Sequence, residues 1–319
     1  MPYTDENLFS FVITLFTRFF LFITAQMPSR ELLTEDLQFL ALIISGTLGV
    51  LLGFYLVYNH LTMLANSISH TVLLGLILTY LIFKVGMPEL GIENIPFYMQ
   101  MIAALMTSSI TLFCLRFLSK RLSLEASNAL SFTALFAIGI LLTSVLLKNT
   151  HLGLESVLGN LEAIVFVDIQ RLFLALLLMV AFMSLCVERL NVISFDSLFS
   201  QAIGIKVHRY KQALVMMASL SLLVCFRSLG VILVLSLLTS PILIARLFAS
   251  SRRQVFLFGL FVVFIQTVLT LMSVHALYVY AHLPVSTSGL FGFIGLLTYF
   301  LAQGIKKGQL KKAAPICKI

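Results

Sequence analysis

Apolar blocks of about 20 residues recur along the whole chain with only short polar gaps, and this spacing constrains the fold more than any other feature. A lipid core about 30 Å thick is crossed by roughly 20 residues of α-helix, and inside it every backbone polar group must find a partner within the protein. In the first half, blocks of about this kind lie near 8–26, 38–58, 63–85, 97–118 and 126–147; in the second, near 169–187, 212–226, 229–248, 254–281 and 288–304. The pattern predicts an all-α polytopic membrane helix bundle of nine to ten transmembrane helices. The 212–226 block decides between the two counts, because it is short and Arg227, Ser228 and Gly230 follow it almost at once. Only 11% of the residues are charged, against roughly 25% in a soluble domain, so the chain cannot cover a water-soluble globule with polar side chains. A single transmembrane domain over 1–319 is expected, with 8–26 as an extra N-terminal helix and 305–319 as a basic tail.

A net charge of +8 in a soluble protein would suggest nucleic acid as a partner, but here its distribution accounts for it. With alternating spans, most of the Lys and Arg fall on one side, among them Arg116, Lys120, Arg121, Arg189, Lys206, Arg209, Lys211, Arg246, Arg252, Arg253 and the tail lysines. The positive-inside rule puts that side, and both termini, in the cytoplasm. Acids including Glu31, Glu35, Asp36, Glu162 and Asp168 leave the opposite face mildly acidic. Such a face attracts cations or a basic docking partner, or is simply a set of solvated loop acids. The four Cys, at 114, 186, 225 and 317, form no C-x-x-C pair, which excludes a zinc knuckle or a thioredoxin-like site. No cation precedes the run from Leu8 to Gln26 and no A-x-A site follows it, so it is expected to stay as a helix.

Polar residues inside spans carry the information about chemistry, since hydrocarbon offers them no partner. In the third block Asn66 and His70 stand four apart on one helical face, with Ser67, Ser69 and Thr71 around them. Neutral imidazole is a ligand for Mn, Fe or Zn, and an amide oxygen one turn away adds a donor; the same pair also serves as ordinary interhelical hydrogen-bonding groups. Ser127, Asn128 and Ser131 on the fifth span, and Gln266, Thr270 and Ser273 on the ninth, read as interior packing. Small residues at four-residue spacing, Ser45, Gly49 and Gly53, with Ser288 and Gly292 on the last span, read as close helix contacts.

The loop from 188 to 211 holds a compact helical signal. Asp196 or Ser197 can cap its start, Leu198 pairs with Ala202 and Phe199 with Ile203, and Gly204 suits its end. Such a helix either lies on the membrane interface or docks into a cytoplasmic partner, with Lys206, Arg209 and Lys211 as a rim. No G-x-x-x-x-G-K-[ST], H-E-x-x-H or G-x-S-x-G occurs, and none of the predicted spans contains Asp or Glu. Nucleotide hydrolysis by the chain itself is excluded, and proton-coupled secondary transport is disfavoured.

Four stretches together resemble one family. NHLTMLANSISHTVLLGLILTYLIF at 59–83, SVLGNLEAIVFVDI at 156–169, ISFDSLFSQAIGI at 193–205 and RSLGVILVLSLLTSPILIARLF at 227–248 are similar, in order and spacing, to the ABC-3 family of bacterial zinc, manganese and iron permeases. The resemblance covers about Leu37 to Leu301. It implies a type II importer-like permease, not itself an enzyme, paired with an identical or homologous permease and driven by a dimer of cytoplasmic ABC ATPases. A separate extracytoplasmic protein would deliver the metal, with no permanently bound cofactor. It further implies His70 and Asn66 as transient metal ligands, Asn66 standing where the family usually has Asp. Phe195, Asp196, Leu198, Phe199, Ala202, Ile203 and Gly204 correspond to the family's ATPase-coupling segment. Asn59 and His60 stand where a basic pair is common. A secondary metal or solute transporter, a permease for a metal chelate or vitamin, and a membrane scaffold are the alternatives.

Overall fold

The structure, a computed structural model, describes residues 8–24, 28, 31–59, 62–84, 97–146, 160–249 and 251–313. Among these residues all regular structure is helical. In chain order the helices are α1 (Leu8–Ile23), α2 (Thr34–Tyr58), α3 (Thr62–Lys84), α4 (Phe97–Leu118), α5 (Leu124–Leu146), a 3-10 turn (Leu161–Ala163), α6 (Phe166–Phe195), α7 (Ser197–Ala202), α8 (Val207–Leu229), α9 (Val231–Phe248), α10 (Arg252–Ala281) and α11 (Thr287–Ala313). Each of the ten apolar blocks has become one helix, and α7 is the added short one. Among the described residues seven helices are long and apolar enough to cross a membrane: α2, α4, α6, α8, α9, α10 and α11; α1 and α5 carry the shorter apolar stretches Leu8–Phe22 and Ala126–Leu142.

The short seventh block is not a broken span. α8 is continuous for 23 residues because the polar turn around His208, Arg209 and Lys211 is helical too. The break comes at Gly230, whose φ of 88° lies in a region an L side chain rarely adopts, and α9 starts at the next residue. The basic tail likewise begins as helix: α11 continues to Ala313, past Lys306 and Lys307. Lysines near a helix C-terminus complement its partial negative charge.

The contacts group the chain into two compact units. The first comprises residues up to Phe54, Asn160–Phe173 and Ile232 onward. Its tightest seam runs between α2 and the α9 and α10 helices. A Cβ at Gly53 would collide with the Leu238 carbonyl oxygen, one at Gly46 with Val263, and one at Gly49 would stand 3.0 Å from the Leu237 carbonyl. Pro241 lies inside α9 and has no N–H, so that Leu237 carbonyl lacks its intrahelical donor. Gly49 therefore brings backbone against the interior carbonyl of α9 whose usual donor Pro241 removes. Ser45 is buried but bonds Ala41 O of its own helix at 2.6 Å, so Gly46 takes the place expected for it in the seam. On α11 the close approach is at Gly295, where a Cβ would stand 3.0 Å from Ser236 Oγ and Ser240 Oγ; a Cβ at Gly292 would find its nearest atom 3.7 Å away.

The acids of this unit are mostly committed to structure. Asp36, expected in an outer loop, is buried in the first turn of α2 and accepts from Arg18 Nε at 2.8 Å and Leu33 N at 3.0 Å. An arginine in an apolar helix needs a counter-charge, and this pair supplies it. Glu162 Oε1 accepts from Thr287 N at the start of α11 at 3.1 Å, and Asp168 pairs with Arg171 at 3.0 Å.

The second unit comprises Tyr55–Gly159 and Leu174–Val231. Here α3 packs on α4, α5 and α8, and α4 on α5 and α8. Ile68, Ala104, Leu115, Val215 and Leu223 form its core. Gly75 lets α3 approach α4 where a Cβ would strike Thr107 and lie 2.6 Å from the Ala103 carbonyl.

Candidate functional site

Two regions of the second unit bear on function, and the first is the α3 bundle. Helical geometry places Asn66 and His70 one turn apart in α3, as expected; their side chains, and that of Ser69, lie outside the described residues. The neighbouring hydroxyls are committed to helix packing. Thr71 Oγ1 bonds the Ser67 carbonyl at 3.0 Å and lies 3.4 Å from Thr111 Oγ1 of α4, both threonines fully buried. No cluster of three or more His, Cys, Asp or Glu able to hold a metal exists among the described residues. On α5, Ser127, Asn128 and Ser131 are buried and their side-chain oxygens have no partner, which the sequence reading as packing did not anticipate.

The second region is the turn between α6 and α8. Of the two capping candidates the structure uses Asp196: its Oδ1 accepts from Leu198 N at 2.8 Å and Phe199 N at 3.1 Å. A carboxylate there satisfies two otherwise orphaned amides and complements the helix N-terminus. Ser200 Oγ bonds Asp196 O at 2.6 Å from the buried side of the turn. The other end closes through Ile203 N to Phe199 O at 3.1 Å and Gly204 N to Gln201 O at 3.0 Å, with Gly204 at φ 84°. α7 is thus only six residues long but fixed at both ends.

What this rigid turn presents is apolar. Phe195 is 82% exposed, Leu198 75%, Phe199 55% and Ile203 53%, and Ala202 is exposed beside them. An open cleft of about 630 Å³ adjoins the ridge, lined among others by Ile203, Gly204, Lys206, Arg209 and the Arg189–Tyr210 pair. In that pair Arg189 Nη1 donates to Tyr210 Oη, and the guanidinium lies 5.4 Å from the ring centre. An apolar ridge with a basic rim suits a protein groove or a membrane interface, the two readings the sequence left open.

One link ties α2 to the base of this turn. Asn59 Nδ2 donates to Ser194 Oγ at 2.9 Å and to Tyr55 O at 2.8 Å, and Tyr55 Oη donates to Asn191 Oδ1 at 3.3 Å. Asn59 stands where the family resemblance implies a cation, and a hydrogen-bonded anchor occupies that place. His60 lies outside the described residues. Nothing in the sequence spacing signalled this contact, because its partners are more than 130 residues apart.

A model of the ABC 3 transport family matches residues 34–304. The chain is 31% identical over 297 residues to the "Probable metal transport system membrane protein" of Chlamydia muridarum, covering 91% of this chain and 89% of that one. It is 34% identical over 205 residues to the "Manganese transport system membrane protein MntD" of Bacillus subtilis, covering 60% and 66% respectively. Among solved structures its fold resembles "PsaBC from Streptococcus pneumoniae in complex with Fab", with a TM-score of 0.67 at 17% identity over 86% of this chain and 92% of that one.

Proposed function

The chain belongs to the ABC 3 transport family, and from that premise we propose that it is the transmembrane permease subunit of an ATP-driven importer carrying divalent metal ions by alternating access. The observation that carries the reading is the capped, exposed apolar ridge of α7, set between two long helices and buttressed at both ends. A permease of an ATP-driven importer that carries no nucleotide-binding motif of its own needs a mechanical input from the subunits that hydrolyse ATP. A rigid ridge in the α6–α8 turn is a handle of the right kind.

In this reading a dimer of cytoplasmic ABC ATPases grips Phe195, Leu198, Phe199, Ala202 and Ile203, while Asp196 and Gly204 keep the turn rigid. α7 follows α6 with Asp196 alone between them, so force on the ridge reaches α6 directly, and the Asn59–Ser194 bond passes it to α2. The substrate metal moves along α3, held briefly by His70 and Asn66. A path ligand must bind strongly enough to replace hydration and weakly enough to release. A second permease, identical or homologous, and an extracytoplasmic metal-binding protein complete the system. It sits in the bacterial inner membrane with both termini in the cytoplasm, and 1–319 acts as one permease domain. Manganese, named in the Bacillus subtilis relative, is the first cation to test.

The test is reconstitution of the chain with its co-purifying subunits and binding protein, followed by uptake of Mn, Zn and Fe with and without ATP. ATP-dependent accumulation of one of these metals is expected. Accumulation by the chain alone, on a proton or sodium gradient without nucleotide, would overturn the proposal. His70→Ala should cut uptake by at least the roughly tenfold that even an outer-sphere change costs a metal site, with assembly intact. Phe199→Asp should strip the ATPase during purification in detergent; full retention would remove α7 from the docking surface.

A further inference from the structure

Buried polar atoms in a lipid-embedded bundle persist where they are paired, hydrated or used. Ser127, Asn128 and Ser131 of α5 are 0%, 4% and 2% exposed, yet Ser127 Oγ, Asn128 Oδ1 and Ser131 Oγ make no hydrogen bond. Most buried hydroxyls elsewhere, such as Thr107 and Ser219, take the simplest outlet, a carbonyl of their own helix. On α5 itself the exposed Thr133 bonds Ala129 O at 2.9 Å and the exposed Ser144 bonds Ile140 O at 2.9 Å. Within α5 the unpaired oxygens lie on the buried stripe that Leu135 and Gly139 continue.

That stripe has a defined neighbour. Thr71 of α3 meets Thr111 of α4, and Gly75 meets Thr107, so α3 and α4 are antiparallel. α5 follows α4 after a short turn and packs on both, and therefore runs parallel to α3. A Cβ at Gly139 would lie 3.3 Å from Leu74 N, which sets the register. Two turns back from that contact on both helices stand Ser131 and Asn66, and one turn back on α3 stands His70.

We propose that Ser127, Asn128 and Ser131 form an oxygen-donor wall of the metal path, facing the Asn66–His70 segment of α3 and taking over part of the cation's water shell. This rests on the permease reading above and adds residues to its path. Two hydroxyls and an amide are neutral, hard donors that favour a cation such as Mn²⁺ over a softer one. Being uncharged, they let the ion go.

The experiment uses the assembled complex in proteoliposomes, with initial rates of ATP-driven uptake measured over a range of Mn²⁺ and of Zn²⁺, and with thermal unfolding in detergent. The variants are the double change Ser127→Ala with Ser131→Ala, Asn128→Leu, and His70→Ala as reference. The α5 variants should raise the half-saturating Mn²⁺ concentration by about fivefold or more, with a smaller change for Zn²⁺. They should also unfold at the same or a higher temperature, because an unpaired buried polar group has been removed. Unchanged Mn²⁺ kinetics in the α5 variants, with His70→Ala impaired, would overturn the wall while leaving the permease reading standing. Lower melting temperatures with a matching loss of assembled complex would make the stripe a packing device and overturn the proposal. Normal uptake by His70→Ala beside impaired α5 variants would overturn the facing arrangement. A wild-type complex that takes up no metal on ATP addition would overturn both readings.

Discussion

In α10 of the first unit the buried Gln266 amide spends both of its protons, one on Ser240 Oγ at 2.7 Å and one on Thr298 Oγ1 at 2.9 Å, joining three helices, although its own Oε1 and the neighbouring Thr267 hydroxyl stay unpaired. In α5 of the second unit the buried oxygens Ser127 Oγ, Asn128 Oδ1 and Ser131 Oγ have no partner. Both places combine an amide with hydroxyls on an apolar helix. In the first case polarity is glue between helices; in the second it is left available. The first unit also has the glycine seam of α2, where backbone meets backbone, so two independent devices hold it together.

The largest effect is expected at that seam. Gly53→Val should cost about 3 kcal/mol or more, because the obstacle is the Leu238 backbone, which cannot rotate away as a side chain would. Thermal unfolding of the purified protein would measure it, and a wild-type melting temperature would show that the seam opens without penalty. Gln266→Leu should cost about 1 kcal/mol, the sum of two membrane hydrogen bonds at roughly 0.6 kcal/mol each. If it stabilises instead, the polar glue of α10 and the open stripe of α5 are the same thing, and the contrast fails. Gly204→Ala, with nothing within 4 Å of the added methyl, isolates the cost of a left-handed backbone and should lose about 1 kcal/mol of local stability at α7. Hydrogen exchange at Phe199 and Ile203 would read that loss. The smallest effect belongs to Gly292→Ala, expected within about 0.5 kcal/mol of wild type because its nearest neighbour is an ordinary contact at 3.7 Å.

Much of this architecture was legible in the sequence for one reason: hydrocarbon enforces a simple rule on helix length and leaves few exceptions. The blocks at 38–58, 97–118 and 254–281 end within a few residues of α2, α4 and α10. The α7 signal was equally readable, since a carboxylate cap and a left-handed glycine are local chemistry. Asp196 proved to be the cap and Gly204 the stop. The short block at 212–226 misled because hydropathy measures apolar length, whereas α8 continues as helix through a polar turn.

Local pattern fails wherever the partner is distant. Ser45, Gly49 and Gly53 looked like one stripe, but a hydroxyl can bond its own helix, so the seam passed to Gly46. Asp36 looked like a solvated acid until Arg18 supplied a counter-charge within 2.8 Å. Ser127, Asn128 and Ser131 looked like filler, and only the packing of α5 on α3 and α4 shows that their side-chain oxygens are buried without a partner. The sequence by itself determined the all-helical class and the place of most helices, the membrane environment, the family and the capped α7 turn, all of which depend on residue type and spacing along the chain. Tertiary structure decided which small residues bear the close contacts, which acids are neutralised, how Asn59 anchors α2 beside the α7 turn, and which buried oxygens stay open. Those outcomes depend on what the facing helix presents, and one helix's sequence does not contain its neighbour's.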